Sequence, residues 1–192
     1  MKIILIKGKI NSGKDYLTNF IIDKFYRYSH FVHLKFAGVL KWYCTINKII
    51  TKNTNSKTSY NNFFGIKNKE DRLNLINIAK KVKYIDNDSF VNFIIQQIEN
   101  YNIDNTIFIF SDLRFPNEFE SLYEKYPNFK FIIFNKLNEN KNTNEDFENE
   151  ISETVLYNYK FPIEVIDIGY INDKNETEIE NLLYNYIFLD LI

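Results

Sequence analysis

The first residues able to do chemistry lie in the segment GKINSGKD, Gly8 to Asp15, directly after the apolar run IILI. Gly8 and Gly13 allow backbone conformations that turn N–H groups onto phosphate oxygens, and the start of a helix after such a loop favours anions. Lys14 can reach terminal phosphates as a point charge. The segment therefore predicts a phosphate-binding loop. Its remaining polar members, assigned to the same site, are Lys9, Asn11 and Ser12.

Asp15 stands at the loop position where most phosphate loops carry the Ser or Thr that helps to hold magnesium. A carboxylate there can bind magnesium through a water molecule, or it can orient the group that accepts the phosphoryl. An acid in the first turn of a helix is also favoured by the helix dipole alone, without any part in catalysis. The loop by itself leaves these interpretations of Asp15 open.

A second informative segment is SDLRFPNE, Ser111 to Glu118, which follows the apolar run TIFIF. A strand there would deliver Asp112 to the carboxyl edge of the sheet, where ligands bind in open α/β folds. Asp112 is predicted to take a magnesium-bound water or to accept a proton from the substrate, and Arg114 to hold a substrate phosphate through two hydrogen bonds. The structural alternative is that Asp112 caps a turn while Arg114 pairs with Glu118.

Strands and helices alternate along the chain, which predicts an α/β fold of three layers with a mostly parallel central sheet and helices on both faces. No repeat or linker suggests a second domain, so residues 1–192 are predicted to form one domain. The predicted strands cover residues 2–6, 31–36, 106–110, 130–134 and 164–168. The predicted helices cover residues 14–28, 39–50, 70–83, 89–100 and 176–189, and Pro116 suits the first turn of another. Residues 51–59 are predicted to be a loop.

The composition narrows the class of protein. The chain has 192 residues and a net charge of −1, so no basic field predicts a nucleic-acid partner. The single cysteine, Cys44, suits a reducing compartment and is expected to be a buried thiol. No apolar run approaches the roughly 20 residues that a membrane span needs. We therefore expect an intracellular, soluble, cytoplasmic protein without nucleic-acid or membrane partners, and we assign no site role to His30 or His33.

The motifs of other phosphate-loop proteins do not fit. A switch GTPase would carry Asp-x-x-Gly and Asn-Lys-x-Asp, whereas DLRF lacks the glycine and NKLN ends in Asn138. A motor or remodelling ATPase would usually be larger. A chain of this length with one phosphate loop suits a small-molecule kinase.

Five segments together resemble the deoxynucleoside monophosphate kinases of the phage and viral type. Animal phosphomevalonate kinases look similar too, and both families carry Gly-Lys-Asp in the phosphate loop. The RFPNE sequence is more similar to the nucleotide kinases. The segments occur in the family's order and span roughly residues 3 to 170: KGKINSGKD, FAGVLK (36–41), RLNLINIAKK (72–81), SDLRFPNE and ISE (151–153).

The resemblance implies a P-loop kinase fold, ATP and Mg²⁺, and transfer of the terminal phosphoryl group to a deoxynucleoside monophosphate. Asp15 and Asp112 would hold the magnesium, directly or through water. Phe90 stands where the family usually has Trp. The residues assigned to catalysis are Lys14, Asp15, Asp112 and Arg114. The residues that the resemblance assigns to the acceptor are Lys41, Arg72, Asp88, Phe90, Arg114 and Glu153.

The resemblance also implies a lid, near residues 135–150. Such kinases usually bring an arginine over the phosphates, but no arginine follows Arg114 here, which leaves Lys136 and Lys141 as the lid cations on the ATP side. A lysine neutralises charge but makes no planar two-point contact. A non-catalytic nucleotide-binding protein is therefore an alternative from another class. The partners expected are ATP and a small-molecule acceptor; a homodimer and, for a viral protein, the host cytoplasm are left open.

Overall fold

The computed structural model describes residues 2–8, 12–36, 38, 40–41, 44, 69–101, 103–126, 128–134, 159–169, 171–172 and 175–189. The strands are β1 (Lys2–Lys7), β2 (His30–Leu34), β3 (Thr106–Phe110), β4 (Phe129–Phe134) and β5 (Val165–Ile168). The helices are α1 (Lys14–Phe25), α2 (Lys69–Ile85), α3 (Ser89–Glu99), α4 (Pro116–Lys125) and α5 (Glu176–Tyr184), and α5 continues as a π-helical turn, Asn185–Leu189.

The five strands form one sheet in the order β2-β3-β1-β4-β5, and every pairing in it is parallel. Parallel neighbours require crossover connections. Along the chain, helix α1 lies between β1 and β2, α2 and α3 lie between β2 and β3, and α4 lies between β3 and β4. β1 lies at the centre, and the phosphate loop leads from its carboxyl end into α1. This is the α/β architecture with a parallel central sheet that the sequence predicts.

The centre of the sheet is buried on both faces, as the apolar runs in β1 and β3 predict. Because successive side chains in a strand point to opposite faces, β1 contributes Ile4 and Ile6 to one cluster and Ile3 and Leu5 to another. The first cluster is closed by α1 and α5, and the second by α3 and α4. The two cores hold the carboxyl ends of the strands, and hence the loops that follow them, at one edge.

The predicted element bounds hold with small differences. The strand predicted over residues 31–36 is β2 and ends at Leu34, so Lys35 and Phe36 lie beyond the strand, at the carboxyl edge of the sheet. The helix predicted over residues 14–28 ends at Phe25. Of the helix predicted over residues 39–50, residues 40, 41 and 44 are helical, as is residue 38 before it. The remainder of that helix, the loop predicted over residues 51–59 and the lid near 135–150 lie outside the described residues.

Across the ranges that the structure describes, no helix combines the length and the apolar character needed to cross a membrane.

Candidate functional site

The phosphate loop has the local geometry that its glycines predict. Gly13 has a φ of 90°, in the left-handed region that favours glycine, and α1 begins at the next residue. A Cβ atom on Gly8 would lie 2.5 Å from the carbonyl oxygen of Phe134 and 2.6 Å from Oγ of Ser12. The backbone therefore passes too close to β4 at this point for any residue with a side chain.

Two polar groups in the loop fit a phosphate ligand. Ser12 is buried, and its Oγ has no hydrogen-bond partner among the described residues. The ammonium of Lys14 donates to the carbonyl oxygen of Gly8 at 2.7 Å, so it folds back across the loop. A buried hydroxyl without a partner is costly, and a phosphate oxygen at the loop would accept its hydrogen bond. Lys9 and Asn11, assigned to the same loop, lie outside the described residues.

Asp15 is bound by two residues from neighbouring strands. The ammonium of Lys35 donates to both carboxylate oxygens of Asp15, at 2.9 Å each, and the Ser111 hydroxyl donates to Oδ1 at 2.9 Å. Lys35 follows β2, Ser111 follows β3, and Asp15 lies in the first turn of α1. The Asp15 side chain is 65% exposed, whereas that of Lys35 is only 15% exposed. Asp15 therefore ties the phosphate loop to the ends of two strands.

The environment keeps Asp15 ionised. Burial works against the charge, but the hydrogen bond and charge of Lys35 and the Ser111 hydroxyl outweigh it, so the pKa of Asp15 lies below its ordinary value. The network continues to β2, because Nε2 of His33 lies 2.8 Å from Oγ of Ser111. Burial, together with the charge of Lys35, lowers the pKa of His33 to about 4. His33 is therefore neutral at neutral pH. Because Ser111 donates its hydroxyl hydrogen to Asp15, Nε2–H of His33 donates to Oγ of Ser111.

The depressed pKa of His33 predicts a pH dependence of stability. The unfolded chain binds a proton at His33 below pH 6.5, whereas the folded chain does so only near pH 4. We therefore expect the free energy of unfolding to be lower at pH 4 than at pH 6.5, with His33 contributing up to about 3 kcal/mol of the difference at about 1.36 kcal/mol per pKa unit. In urea titrations across this range, His33→Gln should reduce the slope of stability against pH.

His30→Gln is the matched control, because His30 begins the same strand but is exposed and lies against Tyr101. The control should keep the pH slope of the wild type. Equal slopes for His33→Gln and the wild type would mean that His33 is not held neutral by the fold.

Asp112, Lys41 and Arg114 meet beside this network. Oδ1 of Asp112 accepts the backbone N–H of Phe36 at 2.9 Å, so Asp112 fixes the residues that follow β2. Burial lowers the pKa of Lys41; the charge of Asp112 opposes this effect, and the nearby charges of Lys35 and Arg114 add to it. The carboxyl edge therefore gathers three cations, Lys35, Lys41 and Arg114, with two carboxylates, Asp15 and Asp112.

Glu118 supports the segment that carries Arg114, but through the backbone. Its Oε2 accepts the N–H of Arg114 at 2.9 Å and that of Phe115 at 3.2 Å, and its Oε1 accepts Lys83 at 3.3 Å. Lys83 also lies over the Phe115 ring, 3.2 Å from its centroid. Burial raises the pKa of Glu118, and the charge of Lys83 opposes that rise. Glu118 thus fixes the start of α4 and binds the main chain of Arg114.

Asp88 and Phe90 lie on the far side of Lys83. Asp88 stands at the N-cap position of α3, but its side chain makes no capping hydrogen bond. Its Oδ1 accepts the side-chain amide of Asn117 at 2.8 Å. Asp88 therefore ties α3 to α4. Phe90 packs against a third apolar cluster formed by Leu40, Cys44 and Leu75. Cys44 is a free, buried thiol, as expected for the single cysteine of the chain.

Two carboxylates at this edge of the sheet suit magnesium that also binds water and substrate phosphates. Among the described residues, no group of three or more His, Cys, Asp or Glu side chains is placed to hold a metal ion. Mg²⁺ is commonly held by one or two carboxylates together with water and substrate phosphates, and Asp15 and Asp112 at one edge fit that pattern. These two carboxylates are the residues that would hold it.

The structure describes only part of the remaining residues that the sequence analysis assigns to the site. Arg72 lies in α2, but its side chain is outside the described atoms. Lys136, Lys141 and Glu153 lie outside the described residues, and their assigned roles stay predictions. The site residues that sequence reasoning did not assign are Lys35, Ser111, His33 and Lys83. For Ser111 a signal existed, since it directly precedes Asp112 at the end of a strand.

Comparisons with known proteins add little to this picture. No family model matches the chain, and no curated protein matches it. Among solved structures, the chain is similar to a gluconokinase from Sinorhizobium meliloti 1021, with 11% sequence identity and a TM-score of 0.42 over 95% of each chain. A likeness this distant indicates neither an activity nor a substrate.

Proposed function

We propose that the chain is a kinase that transfers the terminal phosphoryl group of ATP to the phosphate of a small molecule, with a deoxynucleoside monophosphate as the acceptor. The observation that carries the proposal is the juxtaposition of the phosphate loop with the cation-rich cluster of Lys35, Lys41 and Arg114 at one edge of the sheet. The loop suits the donor, and the cluster suits an acceptor that is itself an anion.

On the donor side, the loop combines the features that bind a nucleoside triphosphate. The left-handed Gly13 and the start of α1 present backbone N–H groups, the Ser12 hydroxyl has no other partner in the described part, and Lys14 supplies a cation. The Lys14 ammonium donates a hydrogen bond to the Gly8 carbonyl. A terminal phosphate offers the same ammonium a charged acceptor, and hydrogen bonds to charged groups are the stronger ones.

On the acceptor side, charge selects the substrate class. Among the described residues, Lys41 is half-buried with a pKa that burial lowers, and the charges of Lys35 and Arg114 lower it further. The two negative charges of a phosphate monoester would favour all three cations. Arg114 can take such a phosphate through two parallel hydrogen bonds, and Glu118 fixes its main chain for that contact.

Phosphoryl transfer asks the protein for position and positive charge rather than for covalent chemistry. The loop and Lys14 hold the donor phosphates, while Lys41 and Arg114 hold the acceptor phosphate so that one of its oxygens faces the terminal phosphorus. Asp112 orients Phe36 and the segment after β2 that leads to Lys41. Bound magnesium would neutralise charge on the phosphates, with Asp15 and Asp112 as its protein ligands, directly or through water.

The proposal is tested by a coupled assay of ADP release. The acceptors are a panel of deoxynucleoside and nucleoside monophosphates, phosphomevalonate, and gluconate as an acid without phosphate. We expect turnover with one or more deoxynucleoside monophosphates and none with gluconate. Turnover with phosphomevalonate alone would replace the nucleotide by that acceptor. Tight ATP binding by calorimetry with no turnover on any acceptor would instead indicate a non-catalytic nucleotide-binding protein.

A further inference from the structure

Lys35 is a charged residue of the site to which the sequence analysis assigns no role. It follows β2, and its ammonium lies 2.9 Å from each carboxylate oxygen of Asp15. Ser111, after β3, holds Oδ1 of the same carboxylate. Because β2, β3 and β1 are neighbours in the sheet, the ends of three strands meet at this one ion pair. Lys35 therefore contacts Asp15 at the donor loop and acts through its charge on Lys41, another cation of the cluster.

A role in stability alone does not account for this lysine. An ion pair with an exposed partner contributes only about 0–1 kcal/mol, and Asp15 is 65% exposed. The side chain of Lys35 is only 15% exposed, and its charge acts on Lys41, a second cation of the same cluster. Lys24, on the same helix as Asp15, shows the ordinary pattern: it pairs with Glu176 and Glu180, away from these cations.

The identity of Asp15 follows from the same contacts. A carboxylate can accept two N–H bonds from one ammonium and a third bond from a hydroxyl, as Asp15 does. The Ser or Thr usual at this position has a single oxygen and carries no charge. The helix dipole would favour an acid here but would not direct it toward Lys35 and Ser111.

We propose that Lys35 is a catalytic cation of the phosphoryl transfer, and that Asp15 and Ser111 are positioning residues that hold its ammonium at the junction of donor and acceptor. The proposal rests on the proposed function. It gives Asp15 a second task beside holding magnesium through water, because its two oxygens contact the Lys35 ammonium directly.

In the reaction, the bond between the terminal phosphorus of ATP and its bridging oxygen breaks, and a bond forms between that phosphorus and an oxygen of the acceptor phosphate. ADP leaves with the bridging oxygen and its electron pair. Lys35 donates N–H hydrogen bonds to the non-bridging oxygens of the moving group and loses no proton. Its charge acts most strongly where negative charge gathers between the two phosphates, which is in the transition state.

The test uses the full chain with Lys35→Met, Lys35→Arg and, as a matched control, Lys24→Met. Losing a charged hydrogen bond predicts a fall in kcat of about tenfold or more for Lys35→Met, with the KM for ATP within about threefold of wild type. Lys35→Arg keeps the charge and should recover part of the loss, and Lys24→Met should match the wild type. A kcat of Lys35→Met within threefold of wild type, an equal loss of ATP affinity, or a variant unfolded by circular dichroism would overturn the proposal.

A binding measurement gives a readout other than turnover. ADP with magnesium and fluoroaluminate mimics the moving phosphoryl group, so the wild type should bind ADP more tightly when fluoroaluminate is present. Lys35→Met should bind ADP alone as the wild type does and lose most of this gain. A variant that keeps the full gain would show that Lys35 does not touch the moving group.

Asp15→Asn completes the design as a double-mutant cycle. If Asp15 acts through Lys35, then Asp15→Asn lowers kcat in the wild-type background and changes it less than about twofold in the Lys35→Met background. Multiplied losses in the double variant would overturn the positioning role. Failure of the proposed function is distinct, since it appears as a wild type that phosphorylates no acceptor.

Discussion

Lys14→Met is expected to lower the rate of phosphoryl transfer by about two to three orders of magnitude, the range seen when one charge-stabilising donor is removed from an active site. Lys14 lies at the start of α1, and its ammonium reaches back to the Gly8 carbonyl rather than into either apolar cluster. The variant should therefore fold. The measurement is ADP release under saturating ATP and acceptor, with circular dichroism as the check on folding.

Lys24→Met is the matched control for Lys14. The two lysines lie on the same helix, but Lys24 pairs with Glu176 and Glu180 at the other end of it. The control should transfer at the wild-type rate. A Lys14→Met variant that folds and transfers within tenfold of the wild type would contradict the assignment of the loop to the donor phosphates.

Arg114→Lys is expected to raise the KM of the phosphate acceptor by about ten- to a hundredfold. The change keeps the charge but removes one arm of the guanidinium fork, and a hydrogen bond to a charged group is worth about 1.5–3 kcal/mol. The affinity for ATP should hardly change, because the loop and Lys14 hold the donor. Both constants are measured on the one variant.

The control and the contrary outcomes for Arg114 are specific. Arg27→Lys is the matched control, since Arg27 is exposed and its Nε donates to the hydroxyl of Tyr26. Wild-type constants for Arg114→Lys would mean that Arg114 has no substrate to hold. A loss of ATP affinity with an unchanged acceptor KM would place Arg114 on the donor side.

Local signals predict the α/β architecture and the course of the loop between β1 and α1. The strand β3 is an apolar run that begins and ends as predicted, and Gly13 and Lys14 determine the loop and the start of α1 within a few residues. Such features depend on neighbours in the sequence, so periodicity and motif spacing reveal them.

The contacts around Asp15 depend on tertiary structure and could not be predicted in the same way. Lys35 is 20 residues from Asp15 and Ser111 is 96, and both reach it only because β2, β3 and β1 are neighbours in the sheet. The strand predicted over residues 31–36 includes Lys35, whereas β2 ends at Leu34 and Lys35 lies beyond it at the edge of the sheet. The sequence analysis assigns no site role to His33, because its partner, Ser111, lies 78 positions away in the chain.

Phosphoryl transfer from ATP to an acceptor phosphate is tested most directly by following the terminal phosphoryl group itself. ATP labelled with oxygen-18 on its terminal phosphoryl is incubated with the protein and the deoxynucleoside monophosphate panel, and the products are analysed by mass spectrometry. We expect a deoxynucleoside diphosphate that carries the label in its terminal phosphate. Lys14→Met should nearly abolish its formation. Label found only in inorganic phosphate, or retained in ATP with every acceptor, would contradict this expectation.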